Sequence, residues 1–120
     1  MARVRFDYTL LDQEDPFEID HGNEPHLNKH LLTDRKGRTV AVDIEDLRDA
    51  YLDGVPRFYE ADEGGDADWL MLAAIPGGLV ICVPLAPPNS GEYNRCRPIG
   101  LYEAVTAHKN RYLADVGWTI

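Results

Sequence analysis

Two uncharged hydrophobic runs of strand length dominate the middle of the chain, and a Pro-Gly-Gly turn separates them. The runs are residues 69–75 (Trp-Leu-Met-Leu-Ala-Ala-Ile) and 79–84 (Leu-Val-Ile-Cys-Val-Pro). Apolar runs of about five to seven residues on either side of such a turn predict a β-hairpin. Because neither run alternates with polar residues, we expect both strands in the middle of a sheet, with most of each face covered.

The N-terminal part of the chain shows two shorter patterns. Residues 2–10 alternate between apolar and polar side chains, which predicts a half-buried strand at a sheet edge, and residues 11–16 form an acidic connector. Asn23 followed by Pro25 is typical of a helix start, so we predict a short helix that ends near Thr33.

The second half of the chain supplies the remaining elements. Asp43, with Asp46 three residues later, predicts the start of a second short helix that Gly54 ends. The remaining strands are expected over residues 39–42, 57–61 and 93–99, and the last helix over residues 101–114. Together these elements predict a single α+β domain over residues 1–120. We expect an antiparallel sheet of about four to five strands, with two short N-terminal helices and one C-terminal helix packed on it.

Composition places the chain among ordinary soluble domains. Hydrophobic residues make up 44% and charged residues 28% of the chain, and no apolar stretch approaches the length of a membrane span. The N-terminus lacks the apolar core of a secretory signal, so we expect a cytoplasmic protein without membrane contact. In that reducing compartment Cys82 and Cys96 are expected to be buried free thiols, and a disulfide between them is the alternative.

Charge is unevenly distributed along the chain. The net charge is −9, yet residues 28–38 and 91–111 are each net basic. The rest of the chain is therefore strongly acidic, which argues against a general nucleic-acid-binding protein. Any contact with phosphate has to use the two basic windows and overcome repulsion from the remaining residues.

Residues 17–30 carry the pattern Phe-Glu-x-Asp-x-x-Asn-x-x-His-Leu-x-Lys-His, and Arg97 and the pair Arg111-Tyr112 follow towards the other end. This arrangement resembles the BrnT family, the ribonuclease toxins of type II toxin–antitoxin systems, which have a RelE-like fold. The resemblance implies a BrnT-like core over residues 17–114. It leaves residues 1–16 as an additional N-terminal strand and acidic connector.

The resemblance also implies a function: a metal-independent endoribonuclease, without a cofactor, that cleaves RNA and is held in check by an antitoxin protein. The candidate catalytic residues are Lys29, His30, Arg97 and His108, and the candidate RNA-binding residues are Arg95, Lys109, Arg111 and Tyr112. In this hypothesis Arg97 holds the phosphate with support from Lys29, and His30 or His108 exchanges the proton. Because the chain is acidic and has Tyr102 where the family has an arginine, we expect the activity to be weakened or lost.

The main candidates also have purely structural interpretations. Arg97 is then a strand arginine paired with a nearby carboxylate, and His108 is a histidine on the packing face of the last helix. Lys29 is then a solvated helix residue. The ribonuclease hypothesis requires Lys29 and Arg97 to meet on the same open side of the sheet.

Two other functions fit the sequence. One is a non-catalytic interaction module of the same fold whose acidic faces bind a basic partner protein, which the charge distribution favours. The other is a metal-dependent enzyme, because His26 and His30 are spaced as a metal-binding pair on the predicted helix, with Asp20 nearby. Self-association into a homo-oligomer is compatible with each of these functions.

Overall fold

The computed structural model describes residues 4–28, 30–33, 36–62, 64–76 and 78–117. Within these ranges the helices are α1 (Ile44–Asp53) and α2 (Thr106–Val116), and neither is long and apolar enough to cross a membrane. The strands are, in chain order, β1 (His30–Thr33), β2 (Thr39–Val42), β3 (Arg57–Glu60), β4 (Trp69–Ile75), β5 (Leu79–Ala86), β6 (Arg97–Pro98) and β7 (Tyr102–Glu103). Short 3-10 turns span Tyr8–Leu10 and Glu24–His26.

Strands β3 to β7 form one antiparallel sheet in the order β3-β4-β5-β6, and β7 also pairs with β5. The hairpin of β4 and β5 is its centre, with Trp69 opposite Leu85 and Ile75 opposite Leu79. Strands β1 and β2 form a separate two-stranded ribbon. The central hairpin and the α+β class with an antiparallel sheet are therefore confirmed.

Different helices cover the two faces of the sheet. Alternate residues of the central hairpin, such as Met71 and Ile81, pack with Leu47 of α1 in one buried cluster. The intervening residues, such as Leu72, pack with Tyr112 of α2 in a second cluster. Because both faces are covered at the centre, neither strand of the hairpin needs a polar face.

Helix α1 is determined by its local sequence, as predicted. The Asp43 carboxylate accepts hydrogen bonds from the backbone N–H groups of Glu45 and Asp46, and the Asp46 carboxylate accepts one from the N–H of Asp43. This reciprocal capping box satisfies N–H groups that a helix start leaves without partners. At the other end the N–H of Gly54 donates to the carbonyl of Ala50.

The edge strand predicted over residues 2–10 is wrong, since its described part contains only the 3-10 turn Tyr8–Leu10. Side chains use the backbone groups that a strand would have needed. The N–H of Phe6 donates to the Asp68 carboxylate, and the carbonyl of Phe6 accepts from the Trp69 indole. The segment therefore lies against the sheet without pairing with a strand of it.

The first predicted helix is wrong beyond its first turn. The chain turns at Glu24–His26, but it then forms β1, which pairs with β2. Three of the four residues of β2 have β-branched side chains, which favour a strand. Asn23 precedes the turn as expected and makes no cap hydrogen bond, because its side chain binds backbone groups elsewhere. His26 and His30 consequently do not share a helix.

The C-terminal strand and helix are shorter than predicted. Within residues 93–99 only β6 pairs with β5, while Cys96 forms a parallel bridge with Phe17. Helix α2 begins later than expected because the chain first pairs with β5 as β7. The backbone at Cys96 thus pairs with Phe17, and within residues 93–99 the strand beside β5 is limited to β6.

Both cysteines are buried free thiols, as the sequence predicts. Cys82 belongs to the cluster under α2 and Cys96 to the cluster under α1. Burial raises the pKa of the Cys82 thiol to about 11 and that of the Cys96 thiol to about 12. Both thiols are therefore protonated and unreactive near neutral pH.

Candidate functional site

Arg97, the residue expected to hold the phosphate, is engaged by two carboxylates. Its guanidinium donates to both oxygens of Asp20, with N···O distances of 2.6 and 3.2 Å, and to Glu18 Oε1 at 3.3 Å. The Arg97 side chain is only 11% exposed. A guanidinium held in this two-pronged way has few donors left for a phosphate. The geometry agrees with the structural interpretation of Arg97.

Glu18 connects Arg97 to a loop that is distant in the sequence, because its carboxylate oxygens also accept hydrogen bonds from the backbone N–H groups of Asn89 and Ser90. Burial raises the pKa of Glu18, but the hydrogen bonds from Ser90, Asn89 and Arg97 outweigh it and keep the pKa below its usual value. The hydrogen bond from Arg97 likewise lowers the pKa of Asp20. We call Glu18, Asp20 and Arg97 the arginine clamp.

Asn23 supports the arginine clamp from the protein interior, where it is 2% exposed. Its Oδ1 accepts from the N–H of Asp20 at 2.8 Å. Its Nδ2 donates to the carbonyl of Glu18 at 2.8 Å and to that of Pro98 at 3.0 Å. Because the oxygen and the nitrogen of this amide both have partners, Asn23 holds the segment that carries the two carboxylates against β6.

Arg97→Met is expected to lower the free energy of unfolding by about 1–2 kcal/mol, because the partly buried Glu18 carboxylate loses a charged donor. Both carboxyl pKa values are lowered in the folded protein. The contribution of the clamp is therefore complete above the unfolded pKa values and is lost as the pH falls towards the folded ones. Urea unfolding should show a difference between the two proteins that is largest near neutral pH and shrinks below about pH 4.

Arg48→Met is the matched control for this measurement. Arg48 makes an exposed ion pair with Glu45 one turn away on α1. Such pairs contribute about 0.5 kcal/mol or less, so the control should unfold almost like the original protein. Equal stability of the Arg97→Met and Arg48→Met proteins at all pH values would contradict the clamp.

His108 and Arg111 line a small cavity of about 50 Å³ between α2 and the sheet, which we call the α2 cavity. The rest of its lining is Tyr59, Glu60, Leu70 and Leu72. Arg111 lies over the Tyr59 ring, 4.5 Å from its centre, and the Tyr59 hydroxyl donates to Asp115 at 2.6 Å. Burial and the hydrogen bond to Asp115 raise the pKa of Tyr59 to about 12. His108 is exposed, so its predicted place on the packing face of the last helix is wrong.

Tyr112 is a core residue of this fold. It is fully buried, and its hydroxyl lies 2.8 and 2.9 Å from the carbonyl oxygens of Gly54 and Val55. The side chain therefore joins α2 to the end of α1 and has no surface to offer RNA.

The remaining candidates do not gather around Arg97. Arg95 donates to the Phe17 carbonyl, and Lys109 is half-buried on α2. His30 begins β1, and Lys29 lies outside the described residues, so its meeting with Arg97 stays a prediction. The arginine clamp and the α2 cavity have no residue in common. Of the described candidates, Arg97 belongs to the arginine clamp, and His108 and Arg111 line the α2 cavity.

The structure removes the geometric basis for a metal site at His26 and His30. Asp20 binds Arg97, while His26 lies in a turn and His30 in a strand. In the part of the chain that the structure describes, no three His, Cys, Asp or Glu side chains are arranged to hold a metal ion.

The sequence patterns do not predict a cavity of about 470 Å³ that lies between α1 and the tip of the central hairpin. Asp46, Asp49 and Asp53 line it from α1, and Ile75 and Pro76 line it from the hairpin. The three aspartates are spaced three and four residues apart, which places their carboxylates on one face of α1. This spacing is the sequence signal from which an acidic helix face could have been predicted. Asp49 and Asp53 make no ion pair with another described residue. We call this feature the acidic cavity.

Comparison with known proteins identifies no relative of this chain. The chain matches no family model, no curated protein and no solved structure.

Proposed function

We propose that the chain is a protein-interaction module that binds a basic partner protein. The supporting observation is that two carboxylates of the acidic cavity have no ion-pair partner among the described residues. Each of four arginines lies within 4.0 Å of a carboxylate of the same chain, namely Arg48, Arg95, Arg97 and Arg111. Asp49 and Asp53, in contrast, have no such partner among the described residues.

The acidic cavity supplies both requirements of a site for a lysine or arginine side chain. Its carboxylates attract a cation, and the net charge of −9 adds a long-range attraction that raises the association rate. Ala50 and Ile75 provide apolar lining along which the methylene groups of such a side chain can pack.

The resemblance of residues 17–30 to the BrnT family suggests the kind of partner. In that interpretation the fold is a RelE-like variant in which the cation expected to bind RNA has become part of the arginine clamp. The partner is then an antitoxin-like protein with a basic contacting segment. Binding without RNA cleavage is the activity that we assign to this chain.

The test compares two labelled probes, a short arginine–alanine peptide and a single-stranded RNA, by fluorescence anisotropy at low and at physiological salt. We expect the peptide to bind and the RNA to remain free and intact. Replacing Asp49 and Asp53 together by Asn should weaken peptide binding by about tenfold, which corresponds to about 1.4 kcal/mol. Glu14→Gln combined with Glu92→Gln removes the same charge from residues that do not line the acidic cavity and should change the affinity by less than about twofold. Binding of RNA without binding of the peptide would overturn the proposal, as would equal losses in the two variants.

The second candidate is the metal-independent endoribonuclease that the resemblance implies. The observation in its favour is the α2 cavity, where an exposed imidazole and a guanidinium lie together. If the chain cleaves RNA, His108→Ala and Arg111→Ala should each abolish the cleavage, and Asn110→Ala on the exposed side of α2 should not. Intact RNA after incubation with the pure protein at low salt would reject this candidate.

A further inference from the structure

The N-terminal segment Val4–Leu10 lies against the β3–β4 connection and the rings of Phe58 and Trp69, and we call this contact surface the groove. The Arg5 guanidinium donates to the carbonyl oxygens of Asp68 at 3.1 Å and Ala61 at 3.2 Å. It also lies 6.0 Å from the centre of the Trp69 ring, within the range of a cation–π contact. Two carbonyl groups of the β3–β4 connection and the ring of the first residue of β4 thus converge on one guanidinium.

The same groove also binds the backbone and an aromatic ring of this segment. The N–H of Phe6 donates to the Asp68 carboxylate at 3.0 Å, and its carbonyl accepts from the Trp69 indole at 2.7 Å. The ring of Tyr8 stacks on Phe58 and meets the edge of Trp69, with centre-to-centre distances of 4.6 and 4.8 Å. An arginine followed three residues later by an aromatic ring fits this arrangement.

The groove is also acidic at its border. The connection from β3 to β4 carries Asp62 and Asp66, both exposed, and the buried Asp68. A basic segment is therefore favoured over a neutral one at this edge of the molecule.

We infer that this groove is a recognition site for an arginine–aromatic segment of the basic partner, and that Val4–Leu10 occupies it as a built-in competitor. This inference rests on the proposed function. It adds that the partner carries an arginine followed by an aromatic residue. It also explains why the partner would bind weakly while the N-terminal segment occupies the groove.

The contacts of the N-terminal segment suit a competitor that can be displaced. Its described part is held by side-chain hydrogen bonds, ring contacts and the partly buried packing of Phe6 and Tyr8 on the core, without a ladder of backbone pairs to a strand. Val4 is 95% exposed. A segment of this kind opens at a lower free energy than the strands beneath it.

The test uses a labelled peptide with the sequence Val-Arg-Phe-Asp-Tyr-Thr-Leu and the full chain with Arg5→Ala and Tyr8→Ala, which weaken the competitor. We expect the peptide to bind this variant at least about tenfold more tightly than the unaltered chain, because it no longer competes with an intact segment. A control peptide with alanine in place of its arginine should lose this binding. Equal affinity for both chains, or equal binding of both peptides, would overturn the inference.

Amide hydrogen exchange on the unaltered chain provides a measurement that does not depend on the folding of the variant. The amide of Phe6 should exchange at least about tenfold faster than that of Ile81 in the central strand, since the segment opens separately. Exchange of both amides at one common rate would overturn the inference. If the arginine–alanine peptide binds at the acidic cavity while the segment peptide shows no preference, the groove is rejected and the proposed function stands.

Discussion

Gly54→Ala is expected to lower the free energy of unfolding by about 3 kcal/mol, because there is no room for the added methyl group. A Cβ at Gly54 would clash with the carbonyl oxygen of Ala74 and would lie 2.6 Å from that of Ala50. Neither oxygen belongs to a flexible side chain. The Gly54 carbonyl is also bonded to the N–H of Ala74 and to the Tyr112 hydroxyl, so α1, β4 and α2 would all have to shift.

Gly64→Ala is the control for this prediction, because a Cβ at Gly64 meets no atom within 4 Å. Urea unfolding of both variants measures the difference, and the control should stay within about 0.5 kcal/mol of the original protein. Similar stabilities for Gly54→Ala and Gly64→Ala would show that α1 does not approach β4 as closely as described.

Asn23→Asp is expected to have the second largest effect, also about 3 kcal/mol, although it changes the side-chain volume very little. It replaces the Nδ2 donor by an oxygen that faces the carbonyls of Glu18 and Pro98. Two buried acceptors then lose their partner and a negative charge is added next to them. Protonation of the new carboxyl removes that charge, so the loss of stability should be smaller at about pH 4 than near neutral pH.

Asn110→Asp on the exposed part of α2 is the matched control and should change the stability by less than about 0.5 kcal/mol. Thermal and urea unfolding at the two pH values measure both variants. A stability loss of Asn23→Asp that does not depend on pH would contradict the burial of this amide among carbonyl groups.

The parts of the fold that depend on neighbouring residues could be predicted from the sequence. The capping box of Asp43 and Asp46 and the turn between β4 and β5 are encoded within a few residues. The uncharged runs of the central hairpin likewise indicate by themselves that both sheet faces are covered. These elements have the predicted type and nearly the predicted bounds.

The parts that failed depend on contacts between distant residues. The alternation at residues 4–10 is typical of a strand, but hydrogen bonds from Arg5, Phe6 and Trp69 across more than fifty positions determine the path of this segment. The Asn23 amide, similarly, binds Pro98 instead of capping a helix. Long-range contacts of this kind leave no periodic signal in one sequence.

The candidate site shows the same limit. The resemblance to the BrnT pattern marked Arg97 as a candidate, but its capture by Glu18 and Asp20 depends on how residues 17–23 dock against β6. The carboxylates of the acidic cavity, in contrast, follow a helical spacing that is visible in the sequence. Only their closeness to the tip of the central hairpin required the structure.

Binding of a basic partner at the acidic cavity is tested most directly by an amide NMR titration of the nitrogen-labelled full chain, first with the arginine–alanine peptide and then with single-stranded RNA. We expect the peptide to shift the signals of Asp46, Asp49 and Asp53 on α1 and RNA to shift no signals on α2. Shifts of His108 and Arg111 caused by RNA, with α1 unaffected by the peptide, would contradict this expectation.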